Sequence, residues 1–333
     1  GQWAPSLKYY KGKFYLHFIA FNHDKFADGG DFLLTATDPE GEWKMQKVNG
    51  FYYDSGLLFD EATGRRFVVA GINDIRVTEL DENFNAISSN KQVINKPDAG
   101  LEGSHMYHIG DYYYIYATYG GGYDRSQTIF RSKNPFGPYE EHEGRLFEKQ
   151  NIHQGGLVET QTGEWWAILF KDAGTIGRIP YLEPVVWKDG WPIVGKNGID
   201  VSKDGKSYKK PNVGKEYPRT YLPTNDGFNA NKLGMQWEWN HNPDNTAWSL
   251  TENPGHLRLH TTGIVDESGD TKLNAFLQAR NTLTQRMFGY DKEGASTSTD
   301  TYGTICLDVS HMQEGDVAGL CVFQDPYAYI GVR

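Results

Sequence analysis

A chain of 333 residues with 38 Gly, 9 Trp, 21 Tyr and 17 Phe is long enough for two domains, and its makeup favours many short strands over helix bundles. Its formal net charge of −10, with no extended run of Lys or Arg, opposes phosphate backbones, so nucleic acid is not an expected partner. No stretch approaches the roughly 20 apolar residues of a membrane-crossing helix, so no membrane partner is expected either.

The chain begins Gly1-Gln2-Trp3, without Met, which leads us to expect that its native start is missing. Four segments then share one pattern: an apolar strand, a Gly-containing turn, and a strand rich in aromatic or β-branched residues. They begin at Leu7, Leu58, Met106 and Leu157, spaced 51, 48 and 51 positions apart. Thr37-Asp38-Pro39-Glu40-Gly41-Glu42-Trp43 resembles Ser132-Lys133-Asn134-Pro135-Phe136-Gly137-Pro138-Tyr139, about two periods on. All-β repeats of this length predict a β-propeller, whose blades bury their faces only against one another. Four repeats fill residues 1–195. The ring is therefore four-bladed, or five-bladed with its first blade missing, and the absent start favours the second.

Residues 196–224 are polar, rich in Lys, Gly and Pro, and read as a strap or linker. From 225 to 333 short alternating strands recur, as in Trp237-Glu238-Trp239 and Leu257-Arg258-Leu259-His260, with a Pro254-Gly255 turn between. They predict an antiparallel β-sandwich that ends in mid-strand. Trp237 and Trp239 suit its core or a sugar platform. Cys306 and Cys321 lack metal-ligand spacing and are either buried thiols on neighbouring strands or a disulfide.

Propeller ligands bind where the innermost strands converge. Trp3, Asp54, Glu102 and His153 each precede their repeat's landmark residue by four positions. Equivalent positions in successive blades face one axis, so two carboxylates, an imidazole and an indole should share a cavity. Paired carboxylates suit glycoside hydrolysis, where one acid protonates the leaving oxygen. A free Glu, with a pKa of about 4.3, is almost fully ionised at neutral pH, so Glu102 needs burial and a neighbouring charge to hold a proton. Trp3 would give a sugar ring an apolar floor. The alternative is that both acids only bind turn backbone. His153 suits a base, a metal ligand or a core imidazole. Arg178 would reach the cavity if a strand starts there, and is otherwise a surface charge. Asp24, Asp28 and Asp31 lack the spacing of a calcium loop and are expected to be solvated. Gly120-Gly121-Gly122 precedes no helix and is no phosphate cradle.

At these residues the sequence resembles family 43 of the glycoside hydrolases, five-bladed propeller enzymes acting on xylose- and arabinose-containing glycans. The likeness lies in Trp3-Ala4-Pro5-Ser6-Leu7, Asp54-Ser55-Gly56-Leu57-Leu58-Phe59-Asp60, Glu102-Gly103-Ser104-His105-Met106-Tyr107 and His153-Gln154-Gly155-Gly156-Leu157. Gly177-Arg178-Ile179-Pro180 and Asp189-Gly190-Trp191-Pro192 look like the closing blade, and residues from Phe228 onward resemble the sandwich of the β-xylosidase and arabinofuranosidase branches. The resemblance implies an inverting exo-glycosidase releasing β-D-xylose or α-L-arabinofuranose from xylan- or arabinan-type oligosaccharides. Glu102 matches the general acid and Asp54 the aspartate that tunes its pKa. Arg178 matches a substrate-binding arginine, and His153 a histidine that in some relatives lies beside a calcium or sodium ion. No cofactor is implied for the chemistry itself. The family's base, an aspartate upstream of the Trp-Ala-Pro motif, has no counterpart here, because Asp24, Asp28 and Asp31 follow that motif. A non-catalytic glycan-binding propeller and an endo-acting arabinanase are the competing readings. A polymer-degrading role would place the protein in the periplasm or outside a bacterial cell, whereas trimming of imported oligosaccharides would place it in the cytoplasm. Oligomeric state stays open.

Overall fold

The structure, a computed structural model, describes residues 2–22, 25–120, 125–172, 178–195, 209–218, 223–261, 279–286, 303–323 and 327–333, with the side chains of 22–28 left aside. Every regular element among the described residues is a strand. The first blade comprises β1 (Gln2–Tyr10), β2 (Lys13–Asn22), β3 (Lys25–Ala36) and β4 (Lys44–Val48). The second comprises β5 (Gly56–Phe59), β6 (Arg66–Ala70), β7 (Asp74–Leu80) and β8 (Lys91–Asn95). The third contains β9 (Leu101–Ile109), β10 (Tyr112–Tyr119), β11 (Ser126–Ser132) and β12 (Glu140–Glu141). The fourth contains β13 (Ile152–Glu159), β14 (Trp165–Asp172), β15 (Arg178–Lys188) and β16 (Trp191–Val194). Each is an antiparallel meander, and β1, β5, β9 and β13 touch in that order as the inner strands.

Turn chemistry follows the sequence. Lys11-Gly12 and Asp189-Gly190 place two successive residues at positive φ, the two-residue turn whose twist matches flanking antiparallel strands. The four predicted hairpins are present as the antiparallel pairs β1–β2, β5–β6, β9–β10 and β13–β14. Apolar side chains bury between blades. Leu33, Tyr52, Val68 and Phe84 fill the space between the first and second. Phe67, Val77, Met106 and Ile115 fill that between the second and third. Tyr114, Tyr116, Ile129 and Leu169 pack between the third and fourth. Strand β10 alternates accordingly, Tyr113 and Ile115 towards one neighbour, Tyr114 and Tyr116 towards the other, as period-2 side chains require.

A polar tie joins the second and third blades. Asp60 is 1% exposed and accepts hydrogen bonds from Tyr113 Oη at 2.7 Å and Thr63 Oγ1 at 2.6 Å, with His108 Nδ1 at 2.7 Å. Burial alone would raise its pKa, but the bonds from His108, Thr63 and Tyr113 reverse that and hold it below the ordinary value.

The chain divides into two units, residues 1–172 with 178–216, and residues 173–177 with 217–333. Of the strap segment, Asn212 is fastened to the β13–β14 turn, its amide donating to Glu164 at 2.8 Å and its carbonyl accepting from Thr162 Oγ1 at 2.6 Å. Residues 196–208 and 219–222 lie outside the described residues. In the second unit β17 (Trp237–Trp239) pairs with β20 (Leu283–Gln285), β18 (Trp248–Ser249) with β19 (Arg258–Leu259), and β21 (Ala318–Val322) with β22 (Ala328–Val332). Trp237 stacks on Phe228 at 5.6 Å and Trp239 leans on Trp248 at 5.2 Å, so both rings pack within this unit. The expectation of two buried or bridged thiols is corrected: both cysteines are free, Cys306 exposed and Cys321 half-buried on β21.

Asp60→Asn should cost on the order of 2–3 kcal/mol at neutral pH, because an amide cannot accept from every donor around it. A carboxylate whose folded pKa is depressed contributes stability above its unfolded pKa and loses it as pH falls through the folded one. The melting-temperature gap between wild type and Asp60→Asn should therefore close below about pH 4, as read by thermal unfolding across a pH series.

Candidate active site

The site residues sit at the same irregularity in successive blades. Register shifts interrupt the inner-strand ladders after Trp3, between Glu102 and His105, and after His153, while β5 begins only at Gly56, past Asp54. A bulge of this kind lifts a side chain out of the pleat and re-aims it. The residue following each of Trp3, Glu102 and His153 has positive φ: Ala4 at 44°, Gly103 at 64° and Gln154 at 45°. In the second blade Asp54 itself takes that conformation, at 47°. Non-glycine residues pay steric strain there, so the packing around them must enforce it. Gly103 is required twice over. Its φ is positive, and a Cβ would lie 2.6 Å from Gln154 Cγ.

Asp54 is buried, and Gln154 Nε2 from the fourth blade donates to its Oδ2 at 2.8 Å. Desolvation raises its pKa, while that bond and the Arg178 charge pull the other way. Glu102 is half-buried, and its pKa is also raised, first by desolvation and then by the Asp54 charge; Arg125, Arg178 and a hydrogen bond from Tyr53 oppose the rise. The two acids thus feel one another, as two carboxylates must in a shared space. Burial and the same two carboxylates push the Tyr53 phenol up to about 12, so it remains a donor towards Glu102 at neutral pH. Gly120 leaves room for the glutamate: a Cβ there would stand 2.5 Å from Oε1. Trp3, 44% exposed, meets Tyr53 edge-on at 6.4 Å and Phe21 at 5.2 Å, bringing an open indole to the aromatic wall beside the acids.

His153 is buried and held neutral, its pKa pushed down to about 4 by desolvation and then by the charges of Arg125 and Arg178. Arg125 Nη1 lies 3.3 Å from its Nε2 and also pairs with Asp172 Oδ2. Arg178 heads β15, bonds Asp172 Oδ1 at 3.3 Å and lies over the Phe170 ring at 4.4 Å. It therefore reaches the site and does not stand as an isolated surface charge.

Sequence reading named Trp3, Asp54, Glu102, His153 and Arg178 as site residues, quoted Gln154 only as a neighbour of His153, and missed Tyr53, Arg125 and Asp172. Tyr53 and Gln154 adjoin named site residues and were within reach. Arg125 and Asp172 lie outside the inner strands and carry no local signal. One expectation is corrected. Asp31 is not solvated but 0% exposed, because strand β3 carries it under the Tyr52–Ser55 turn. The side chains of Asp24 and Asp28 lie outside the described residues, as do Gly121 and Gly122.

The cationic surroundings of His153 do not fit the calcium or sodium ion implied for some relatives. Arg125 lies against the imidazole, the Arg178 charge also lowers its pKa, and no cluster of three His, Cys, Asp or Glu able to hold a metal occurs among the described residues. Further along the inner strands, Lys8 Nζ lies over the Tyr107 ring at 4.6 Å and depresses the His105 pKa after burial has done so, another cation of the protein's own.

A β-propeller presenting two coupled acids beside an exposed indole is the class that fold and site define. Residues 1–192 match the model for glycosyl hydrolases family 43, and residues 225–333 match the β-xylosidase C-terminal concanavalin A-like domain. The chain belongs to glycosyl hydrolase family 43. It is 32% identical to a β-xylosidase of Formosa agariphila over 391 residues, covering 100% of this chain and 62% of that protein. It is 33% identical over 296 residues to the non-reducing end α-L-arabinofuranosidase BoGH43B of Bacteroides ovatus, covering 81% of this chain and 54% of that one. The solved structure of a bifunctional GH43-CE protein of Bacteroides eggerthii superposes with a TM-score of 0.75 at 33% identity, covering 100% of this chain and 41% of that one. The chain therefore spans less than two thirds of the length of each of these relatives.

Tyr53→Phe removes the hydrogen bond that favours ionised Glu102, so the Glu102 pKa should rise further. Carboxyl-carbon NMR titration would read the shift, and an unmoved or lower pKa would refute the assigned contact.

Proposed function

We propose that the protein is an inverting, exo-acting glycosidase that removes β-D-xylose or α-L-arabinofuranose from xylan- or arabinan-type oligosaccharides. The observation that carries this reading is the coupled acid pair. Glu102 has its pKa raised by desolvation and by the Asp54 charge, the condition for a carboxyl to hold a proton where it must donate one. The names of the relatives, a β-xylosidase and an α-L-arabinofuranosidase, support the pentose class.

Glu102 delivers its proton to the glycosidic oxygen as the bond to the anomeric carbon breaks, and that oxygen leaves as an alcohol. A water on the opposite face adds to the anomeric carbon and loses a proton to a base, a role we assign to none of the residues described above. The Asp54 carboxylate, when ionised, raises the Glu102 pKa by its charge. Trp3 floors the sugar. Arg178, fixed by Asp172 and 59% exposed, offers hydrogen bonds to its hydroxyls. Neutral His153 lines the cavity beside Arg125.

Release of xylose or arabinose from arabinoxylo-oligosaccharides by the full-length protein tests the reading; binding without release would replace it with a glycan-binding role. Glu102→Ala should lower kcat on natural oligosaccharides about 100-fold or more, and far less on nitrophenyl glycosides, whose leaving group needs no proton. Equal losses would remove Glu102 from the acid role. Asp54→Asn deletes the charge that raises the Glu102 pKa. The alkaline limb of the kcat/KM profile should therefore move to lower pH, and an unshifted limb would refute the coupling.

A further inference from the structure

Asp54 occupies a strained conformation on the short segment that links the first two blades, and something must hold that segment in place. The holder is buried in the first blade. His17 on β2 and Asp31 on β3 are diagonal neighbours on one sheet face, 2% and 0% exposed. His17 Nε2 stands 3.5 Å from Asp31 Oδ1, and His17 Nδ1 is 2.7 Å from the hydroxyl of Ser55, itself 3% exposed. Asp31 in turn accepts the Tyr52 amide, at 3.3 Å on Oδ1 and 3.1 Å on Oδ2. The cluster therefore grips both ends of the four-residue segment whose third member is Asp54. The middle is held by the other blades: the Gly71 amide donates to the Tyr53 carbonyl at 2.9 Å, and the Ser104 amide to the Asp54 carbonyl at 3.2 Å.

We propose that Asp31, His17 and Ser55 form a buried positioning relay that fixes the Tyr52–Ser55 backbone and thereby aims the Asp54 carboxylate. The assignment rests on reading Asp54 as an active-site carboxylate. Its polarity is set by the environment. Burial pushes His17 down to about 4, so the ring is neutral, with one nitrogen carrying a proton and the other free to accept. Asp31, raised by burial to about 6 despite the Tyr52 amide, is still largely ionised at neutral pH, and its Oδ1 faces the Nε2 edge of the ring at 3.5 Å, a polar contact longer than an ordinary hydrogen bond that favours the proton on Nε2. His17 Nδ1 is then left to accept from the Ser55 hydroxyl. The Tyr52 amide meets Asp31, Asp31 meets His17 and His17 meets Ser55, so the chain ends on the residue next to Asp54. His17, Asp31 and Ser55 are positioning residues, acting only through Asp54.

A double-mutant cycle tests this. His17→Phe keeps a ring of similar size in the core but removes both contacts, and Ser55→Ala is the milder variant should the first fold poorly. Either should lower kcat on arabinoxylo-oligosaccharides about ten- to a hundred-fold, as a misplacement near 1 Å does, with KM changed less than about two-fold. In an Asp54→Asn background the same substitution should add little further loss, because the group it aims is already gone. His17→Gln, which can still accept and donate, should recover part of kcat. Losses that multiply in the double mutant, or a wild-type kcat in both single mutants, would overturn the relay. If the wild-type protein cleaves no pentoside, the glycosidase reading fails, and the relay is judged by the Asp54 carboxyl titration instead. That pKa, raised by burial and opposed by Gln154 and Arg178, should relax towards an ordinary aspartate value in Ser55→Ala. An unchanged titration would refute the relay.

Discussion

Two carboxylates drawn out of water beside one another set the terms for everything around them. Each loses hydration and feels the other's charge, so the folded chain must answer with donors placed in advance. The answers come from different blades. Asp54 belongs to the segment before the second blade, Glu102 to the third, and the Gln154 amide and Arg178 guanidinium to the fourth. No blade contains the site by itself. The apolar layers between blades, which bury Ile115 on one side of β10 and Tyr116 on the other, fix the spacing at which the acids meet.

The aim of those acids depends on local strain that the ring supports. Interruptions of the inner strands after Trp3 and His153 and beside Glu102, together with positive φ at Ala4, Asp54, Gly103 and Gln154, turn strand ends inward where regular pleating would direct them along the sheet. Such conformations persist only under dense anchoring. Around Asp54 that anchoring includes bonds from Gly71 and Ser104, and buried polar contacts from Asp31 and His17. The polar interior of the first blade thus connects directly to the chemistry at the axis.

The guanidinium groups of Arg125 and Arg178 link the electrostatics of the site to its shape. They oppose the rise in the Glu102 pKa that burial and Asp54 produce, and they add to the desolvation that pushes the His153 pKa down, so the same charges act on the acid and on the imidazole. Asp172 holds both arginines, which lets Arg178 stay largely exposed yet directed.

The sequence by itself determined the repeat, its hairpins and the identity of the residues at each inner-strand start. Periodicity, Gly-containing turns and register are local properties, carried by residues such as Leu7, Leu58, Met106 and Leu157. That is why Trp3, Asp54, Glu102 and His153 could be placed together before any coordinates, and why Tyr53 and Gln154, their chain neighbours, were within reach. Only the tertiary structure decided which donors meet the acids, because Gln154 is 100 positions from Asp54 and Arg125 is 47 from Asp172. It also moved Asp31 from solvent to the interior, where two strands and a turn close over it. Pairings so distant leave no trace in spacing or pattern; they exist only once separate sheets have packed and excluded water between them.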